Sequence, residues 1–263
     1  MDFNFALLNV SFILLVGIFI YIIRVKRKKQ IHSAFLGIIG SLLIWTSGYL
    51  GLFYWYYAFS QSLDIFVKIV LTGIILTPSF VFLFGYIFAY NRIKNILKFK
   101  LFFIIPIISI VLLYTNDYHK LFYTYFSAEN IKYRVFGPWF IVHTIYSYSL
   151  IITGLAFLTY FTIKNSGFFS NQSKLIIIGI IFPFAINILI TLQVGNLPYY
   201  YESISFSIAI FFFAFAIFKF RFLNIAPIAL QRIVDLISDS YIVINEDLEI
   251  IDYNKTFVDT FKE

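Results

Sequence analysis

The sequence predicts an all-α integral membrane protein: a seven-transmembrane helix bundle, N-terminus outside and C-terminus in the cytoplasm, followed by a short, truncated α+β segment. Three observations carry this. Hydrophobic residues make up 61% of the chain and charged ones only 13%, about half the charged share of an ordinary soluble domain, and lipid is the solvent that tolerates so much apolar surface. Seven apolar runs of membrane-spanning character follow one another from the N-terminus. The charge then reverses: residues 1–226 hold 17 Lys/Arg and 5 Asp/Glu, a net +12, whereas residues 227–263 hold 3 and 8, a net −5, which together give the +7 of the whole chain.

Span 1 covers 3–23 and ends in Arg24 and the block Lys26, Arg27, Lys28, Lys29. It is too long for a signal-peptide core and lacks a small-residue cleavage site, so it is read as the first crossing. Span 2 covers 33–57 and closes on Tyr54, Trp55, Tyr56 and Tyr57, a headgroup-level aromatic belt. Span 3, 63–90, contains Pro78, where a kink is expected. Span 4, 97–114, is short unless Lys98 and Lys100 snorkel. A longer loop, 115–136, precedes span 5 at 138–163, and residues 164–174 form the next turn. Span 6, 175–191, has Pro183 at its middle, and span 7, 200–218, is closed by Lys219 and Arg221.

The cations set the orientation. Connections after the odd-numbered spans hold five, four, two and two Lys/Arg, and those after the even-numbered spans hold none, three and none. The positive-inside rule then places the N-terminus outside. The basic residues sit in short loops beside spans, so their partner is the lipid bilayer and not nucleic acid. No internal repeat suggests the inverted halves of a transporter.

Beyond residue 226 the pattern changes. Residues 225–238 open near Pro227 and carry Ile228, Leu230, Ile233, Leu236 and Ile237 at a helical period. YIVIN (241–245) and EIIDY (249–253) read as two short strands around the turn Glu246–Asp247. Asn254 is placed to cap a last helix, 255–261. The chain therefore divides into a membrane domain, 1–226, and a signalling helix with an incomplete soluble domain, 227–263, too short to bury its own core.

Many chemistries are excluded. There is no cysteine, hence no disulfide, thiol nucleophile or cysteine-held metal. No Gly-rich phosphate loop, zinc-protease helix or nucleophile–base pair occurs, so no catalytic residue is assigned and no cofactor or metal is expected. Span 7 lacks a lysine for a retinal Schiff base.

Polar residues within a bilayer are costly and face the bundle interior or a cavity. Trp139, His143 and Tyr146 fall at i, i+4, i+7 on one face of span 5, with Tyr118, His119 and Tyr123 in the preceding loop. Two readings fit: an outer pocket for a small ligand, or a helix end with belt aromatics and one histidine bonded to a neighbouring helix. Asp64 and Lys68, at i, i+4, form either an intrahelical ion pair or part of a ligand site. Glu202 opens span 7, where a helix N-terminus favours an anion; it either caps or touches ligand. Asn187 stands one turn beyond Pro183, ready to satisfy the carbonyl that proline frees or to bridge to another helix. Pro78, Pro183 and Pro227 are hinge or relay candidates, with a static kink the simpler alternative.

The segment SDSYIVINEDLEIIDYNKTFVDTF (238–261) resembles the opening of a PAS domain. TNDYHKLFY (115–123), GPWFIVHTIYSY (137–148), NQSKLIIIGIIFPFAINIL (171–189) and FRFLNIAPIA (220–229), in that order, resemble the seven-transmembrane sensor region at the N-terminus of many prokaryotic histidine kinases. The resemblance implies a sensory receptor in a prokaryotic cell membrane. It also implies a homodimer, a PAS linker and an output that is a histidine kinase, with a response regulator as partner, or a diguanylate cyclase. A ligand would bind among the outer halves of spans 3, 5, 6 and 7. The rival readings are a small-molecule transporter or channel, for which mid-membrane charges are lacking, a lipid-active enzyme, and a non-sensing anchor.

Overall fold

A computed structural model of the chain describes residues 3–25, 29–59, 64–90, 92–93, 99–125, 135–165, 167–192, 194, 200–219, 239–244 and 250–261. Its elements are α1 (Phe3–Ile23), α2 (Gln30–Phe59), α3 (Asp64–Tyr90), a 3-10 turn (Leu101–Phe103) leading into α4 (Ile104–Tyr114), α5 (Asn116–His119), β1 (Tyr123–Tyr125), β2 (Val135–Phe136), α6 (Pro138–Lys164), α7 (Gly167–Thr191), α8 (Tyr200–Lys219), β3 (Ile242–Ile244), β4 (Ile250–Tyr253) and α9 (Lys255–Thr260). Long apolar runs become helices because lipid offers no partner to backbone N–H and C=O groups. Hydroxyls in these runs bond back to their own helix, as Thr72 Oγ1 does to the Lys68 carbonyl and Thr153 Oγ1 to that of Ser149.

Among the described residues, five helical stretches have the length and apolarity to cross a membrane: Phe5–Ile23, Gln30–Trp55, Asp64–Tyr90, Pro138–Lys164 and Ser170–Thr191. Leu101–Tyr114 and Ile204–Ala216 are apolar but shorter. The sides of the bundle confirm the solvent. Ile13, Ile107, Ile145, Ile163 and Phe211 are each more than half exposed, while Ser41, Thr46, Ser79, Ser109 and Ser147 are buried. Apolar side chains facing out and small polar ones facing in are the pattern of a helical membrane protein, not of a water-soluble core.

The packing order explains where a site forms. α2, α3, α6, α7 and α8 make a ring in which each touches the next and α8 closes back on α2. α1 buttresses α2 and α8 from outside, and α4 buttresses α3 and α6. At the α3–α6 contact, a Cβ added to Gly85 would lie 2.3 Å from the Gly154 carbonyl oxygen. Only two glycines let these backbones approach so closely.

One end of the bundle carries a β1–β2 hairpin, paired antiparallel with Tyr123 opposite Phe136. Asn116 staples it: its Oδ1 accepts from Phe122 N (2.9 Å) and Tyr123 N (3.2 Å), and its Nδ2 donates to the Tyr123 carbonyl (2.8 Å). Gly137 passes so close to Leu121 that a Cβ would lie 2.2 Å from its carbonyl oxygen.

Two boundaries differ from expectation. Residues 167–174 are not a turn; α7 starts about two turns early, held by Ser170 Oγ donating to the Thr162 carbonyl (3.2 Å) and by Ser173 bonded to Thr162 (2.7 Å). α2 likewise begins at Gln30. In the tail, β3 and β4 pair antiparallel, and Asn254 Oδ1 caps α9 by accepting from Phe257 N (2.9 Å). β4 rests against α7. The expected helix at 225–238, with Pro227, lies outside the described residues.

Candidate ligand cavity and the polar chain at its end

The five-helix ring lines a cavity of about 130 Å³. It follows α2 from Leu52 to Ile38, roughly 20 Å of helix at 1.5 Å per residue. At the hairpin end its wall includes Val67, Phe140, Asn187, Thr191 and Glu202, and at the other end Ile38, Val81, Ile151 and Phe213. Polarity is therefore graded along the cavity.

The polar end is built from three helices. Glu202, on the first turn of α8, is 2% exposed. Asn187 Nδ2 of α7 donates to Glu202 Oε1 (2.9 Å), and Tyr148 OH of α6 donates to Asn187 Oδ1 (3.1 Å). The chain Tyr148–Asn187–Glu202 ties α6, α7 and α8 together, and all three residues line the cavity. Of the two alternatives for Asn187, the bridge to other helices is the one realised. Ser205 donates to the Glu202 backbone carbonyl within α8.

His143 is 3% exposed and lines the same cavity. Its Nε2 bonds Ser147 Oγ (3.0 Å) one turn along α6, and its Nδ1 bonds Ser109 Oγ (3.2 Å) of α4. It is thus a histidine bonded to a neighbouring helix and a cavity residue at once. Trp139 and Tyr146 do not join it in the wall. Trp139 Nε1 donates to Ser109 Oγ (2.9 Å) and Tyr146 OH to the Phe102 carbonyl (2.7 Å). They fasten α4 and the 3-10 turn before it to α6. The cavity face of α6 runs through Phe140, Thr144, Ser147, Tyr148 and Ile151, and His143 sits where that face meets the α4 face.

The ionic residues form a separate structure. Lys68 Nζ lies 2.8 Å from Asp64 Oδ2, the expected i, i+4 pair, and 3.2 Å from Asp117 Oδ2. Tyr123 OH donates to Asp64 Oδ1 (3.1 Å). None of Asp64, Lys68, Asp117 or Tyr123 lines the cavity; together they clamp the hairpin to the start of α3. The Lys68 ammonium holds the Asp117 carboxyl below its ordinary range, with Lys120 adding to the effect. Burial, and then the Asp64 charge, raises the Tyr123 phenol above its ordinary value. His119 also lies away from the cavity. It bonds Thr115 Oγ1 (3.0 Å) and accepts from Leu121 N (3.0 Å), closing a local turn, while Tyr118 is 91% exposed.

Pro78 and Pro183 both line the cavity, as do Ile74 and Gly179, whose carbonyls lose their helical donors to those prolines. Residues that spacing did not single out complete the wall: Trp45 and Tyr49 of α2, Tyr148 of α6, and Phe206 and Phe213 of α8. Trp45, an indole in mid-span, was the available signal.

These features define the class: a multi-pass helical membrane protein with a ring of helices around a cavity. The family model for the N-terminal 7TM region of histidine kinase matches residues 7–227, and the chain belongs to that family. No curated protein and no solved structure matches it.

Proposed function

We propose that this chain is the sensory part of a receptor that crosses a prokaryotic cell membrane seven times, α4 and α8 included, with the N-terminus outside. A small ligand binds in the ring cavity, and the change passes along α8, through 220–225, to the helix after Pro227 and a PAS-type segment beginning in 239–261. Because β4 rests against α7, α7 offers a second route. The output is a histidine kinase or diguanylate cyclase acting as a homodimer, with a response regulator as partner of a kinase.

One observation carries the reading: the cavity is walled by five helices, and the linked polar groups Tyr148, Asn187 and the buried Glu202 come from three of them. A ligand in such a site touches the elements that must move together, and only unequal affinity for two arrangements shifts their populations. The apolar lining toward Val81 and Phe213 favours a closed site over an ion path. Ala209 is buried on α8 and lines the cavity, so Ala209→Phe fills it from within. In membranes carrying residues 1–263 fused to a histidine kinase core, this variant is expected to shift basal autophosphorylation by about fivefold or more, the lower range of allosteric coupling. Unchanged output from a correctly inserted variant contradicts the sensor reading.

A further inference from the structure

We propose that the cavity takes an uncharged, unbranched chain with a hydrogen-bond acceptor set within its length, a carbonyl in the simplest case, which accepts from the indole N–H of Trp45. This deepens the sensor reading and rests on the cavity being the ligand site.

Trp45 sets the requirement. It is 5% exposed and lines the cavity, and its buried Nε1 has no hydrogen-bond partner among the described residues. Buried donors in native proteins are almost always paired, and lipid offers no substitute partner. The indole is also held in place. A Cβ added to Gly73 of α3 would lie 2.5 Å from Trp45 Cβ and 2.6 Å from its backbone N, so α3 presses against α2 at this residue. Phe206 of α8 packs edge-on against the ring, centroids 4.8 Å apart. Thr77, in the same wall, bonds elsewhere: its Oγ1 lies 2.8 Å from the Gly73 carbonyl oxygen and 2.9 Å from Ser41 Oγ. Contacts from three helices thus fix a donor at the cavity, and a ligand is the source of its acceptor.

Charge and shape narrow the class. An ammonium has donors and no acceptor, so it cannot answer an N–H. A carboxylate can accept, but Trp45 lies near the middle of the Gln30–Trp55 span, where a charge is costly to bury. No Lys or Arg is among the described residues that line the cavity to offset that cost. A neutral oxygen remains. Trp45 stands halfway between Leu52 and Ile38, the residues of α2 that mark the two ends of the cavity. The acceptor therefore falls within the chain and not at its tip. About 130 Å³ drawn out along that stretch of helix holds one unbranched chain, and Val81, Ile151 and Phe213 receive an apolar arm.

The test is equilibrium binding of radiolabelled nonan-5-one, nonane, nonanoate and nonylamine to the full chain in phosphatidylcholine nanodiscs. Empty nanodiscs are subtracted, and affinities are expressed per mole fraction of probe in the bilayer. Saturable nonan-5-one binding about fivefold tighter than that of nonane is expected, the worth of one net hydrogen bond, with nonanoate and nonylamine weaker than the ketone. Trp45→Phe should bring the ketone down to the level of nonane while nonane still binds, which also reports that the variant is folded. A second readout uses the native chain. It has three tryptophans, so indole ¹⁵N labelling gives three N–H signals, and the one missing from Trp45→Phe is assigned to Trp45. Nonan-5-one should move that proton downfield of its position with nonane bound. No saturable ketone binding, a ketone no tighter than nonane, or a charged probe tighter than the ketone overturns the assignment. So does a ketone advantage that survives Trp45→Phe. If Trp45→Phe binds neither probe, the native indole signal decides, and a proton that the ketone leaves unmoved overturns the assignment. The sensor reading fails separately, on unaltered kinase output from the Ala209→Phe variant.

Discussion

Asn116 shows how one side chain fixes a loop. It is fully buried and makes three hydrogen bonds to the strand that follows it. Asn116→Ala would leave the Phe122 N–H without its acceptor and weaken the hairpin that closes the bundle end, at a cost of about 2 kcal/mol. Denaturant unfolding in detergent measures this, and a loss below about 0.5 kcal/mol would remove Asn116 from that role. Beside it, Asp117 gives a pH signature. Its native pKa lies below the ordinary 3.8 because of Lys68. The pairing therefore adds stability that is complete above the unfolded carboxylate range and is lost as pH falls through the lowered native value. Asp117 is exposed, so the slope is shallow and salt flattens it. The acid-side fall in melting temperature is expected to shrink in Lys68→Met; an unchanged profile would show that Asp117 gains nothing from Lys68. Tyr123 works in the opposite direction: its raised pKa stabilises the neutral phenol, and that contribution is lost as pH climbs past the ordinary 10.0 toward the native value.

At the scale of elements, the helices were legible because in lipid a run of apolar residues has one way to satisfy its backbone. The caps and strands of 239–261 were legible because Asn254 and the alternation around it obey local rules. Boundaries were harder: α7 extends to Gly167 through contacts with Thr162 across the turn, which no local pattern reveals. The cavity was half legible. His143, Asn187, Glu202 and both prolines were marked by their polarity or rarity in a span, and all five line it. Trp139 and Tyr146 bond to Ser109 and Phe102 and do not line the cavity, because helical spacing shows that residues share a face but not which neighbour that face meets. Asp64 and Lys68 form the intrahelical pair that their spacing offered, and with His119 they lie away from the cavity, because polarity at a helix end serves the hairpin as readily as a ligand. Tertiary closeness also decides the cost of adding a side chain. Gly85→Leu would force α3 off α6 and destabilise the bundle by about 1–3 kcal/mol, whereas Gly17, with nothing within 4 Å of an added Cβ, should accept leucine with little change. Equal effects of the two substitutions on detergent unfolding would contradict the close α3–α6 contact.

For the whole molecule, the account depends on all seven apolar helices crossing the membrane, including the short α4 and α8, because a signal passing along α8 reaches the cytoplasm only if α8 itself spans the bilayer. The natural chain has no cysteine, so single cysteines report their own side of the membrane without background. Lys29 follows α1, Tyr118 follows α4 and Ser240 follows α8, and all three are exposed. The most direct measurement is labelling of Lys29→Cys, Tyr118→Cys and Ser240→Cys in intact cells with a membrane-impermeant maleimide. Seven crossings with the N-terminus outside predict that Tyr118→Cys labels from outside, and that Lys29→Cys and Ser240→Cys label only after lysis. If Tyr118→Cys shares a side with Lys29→Cys, α4 does not cross. If it shares a side with Ser240→Cys, α8 does not, and the route from cavity to cytoplasm is contradicted.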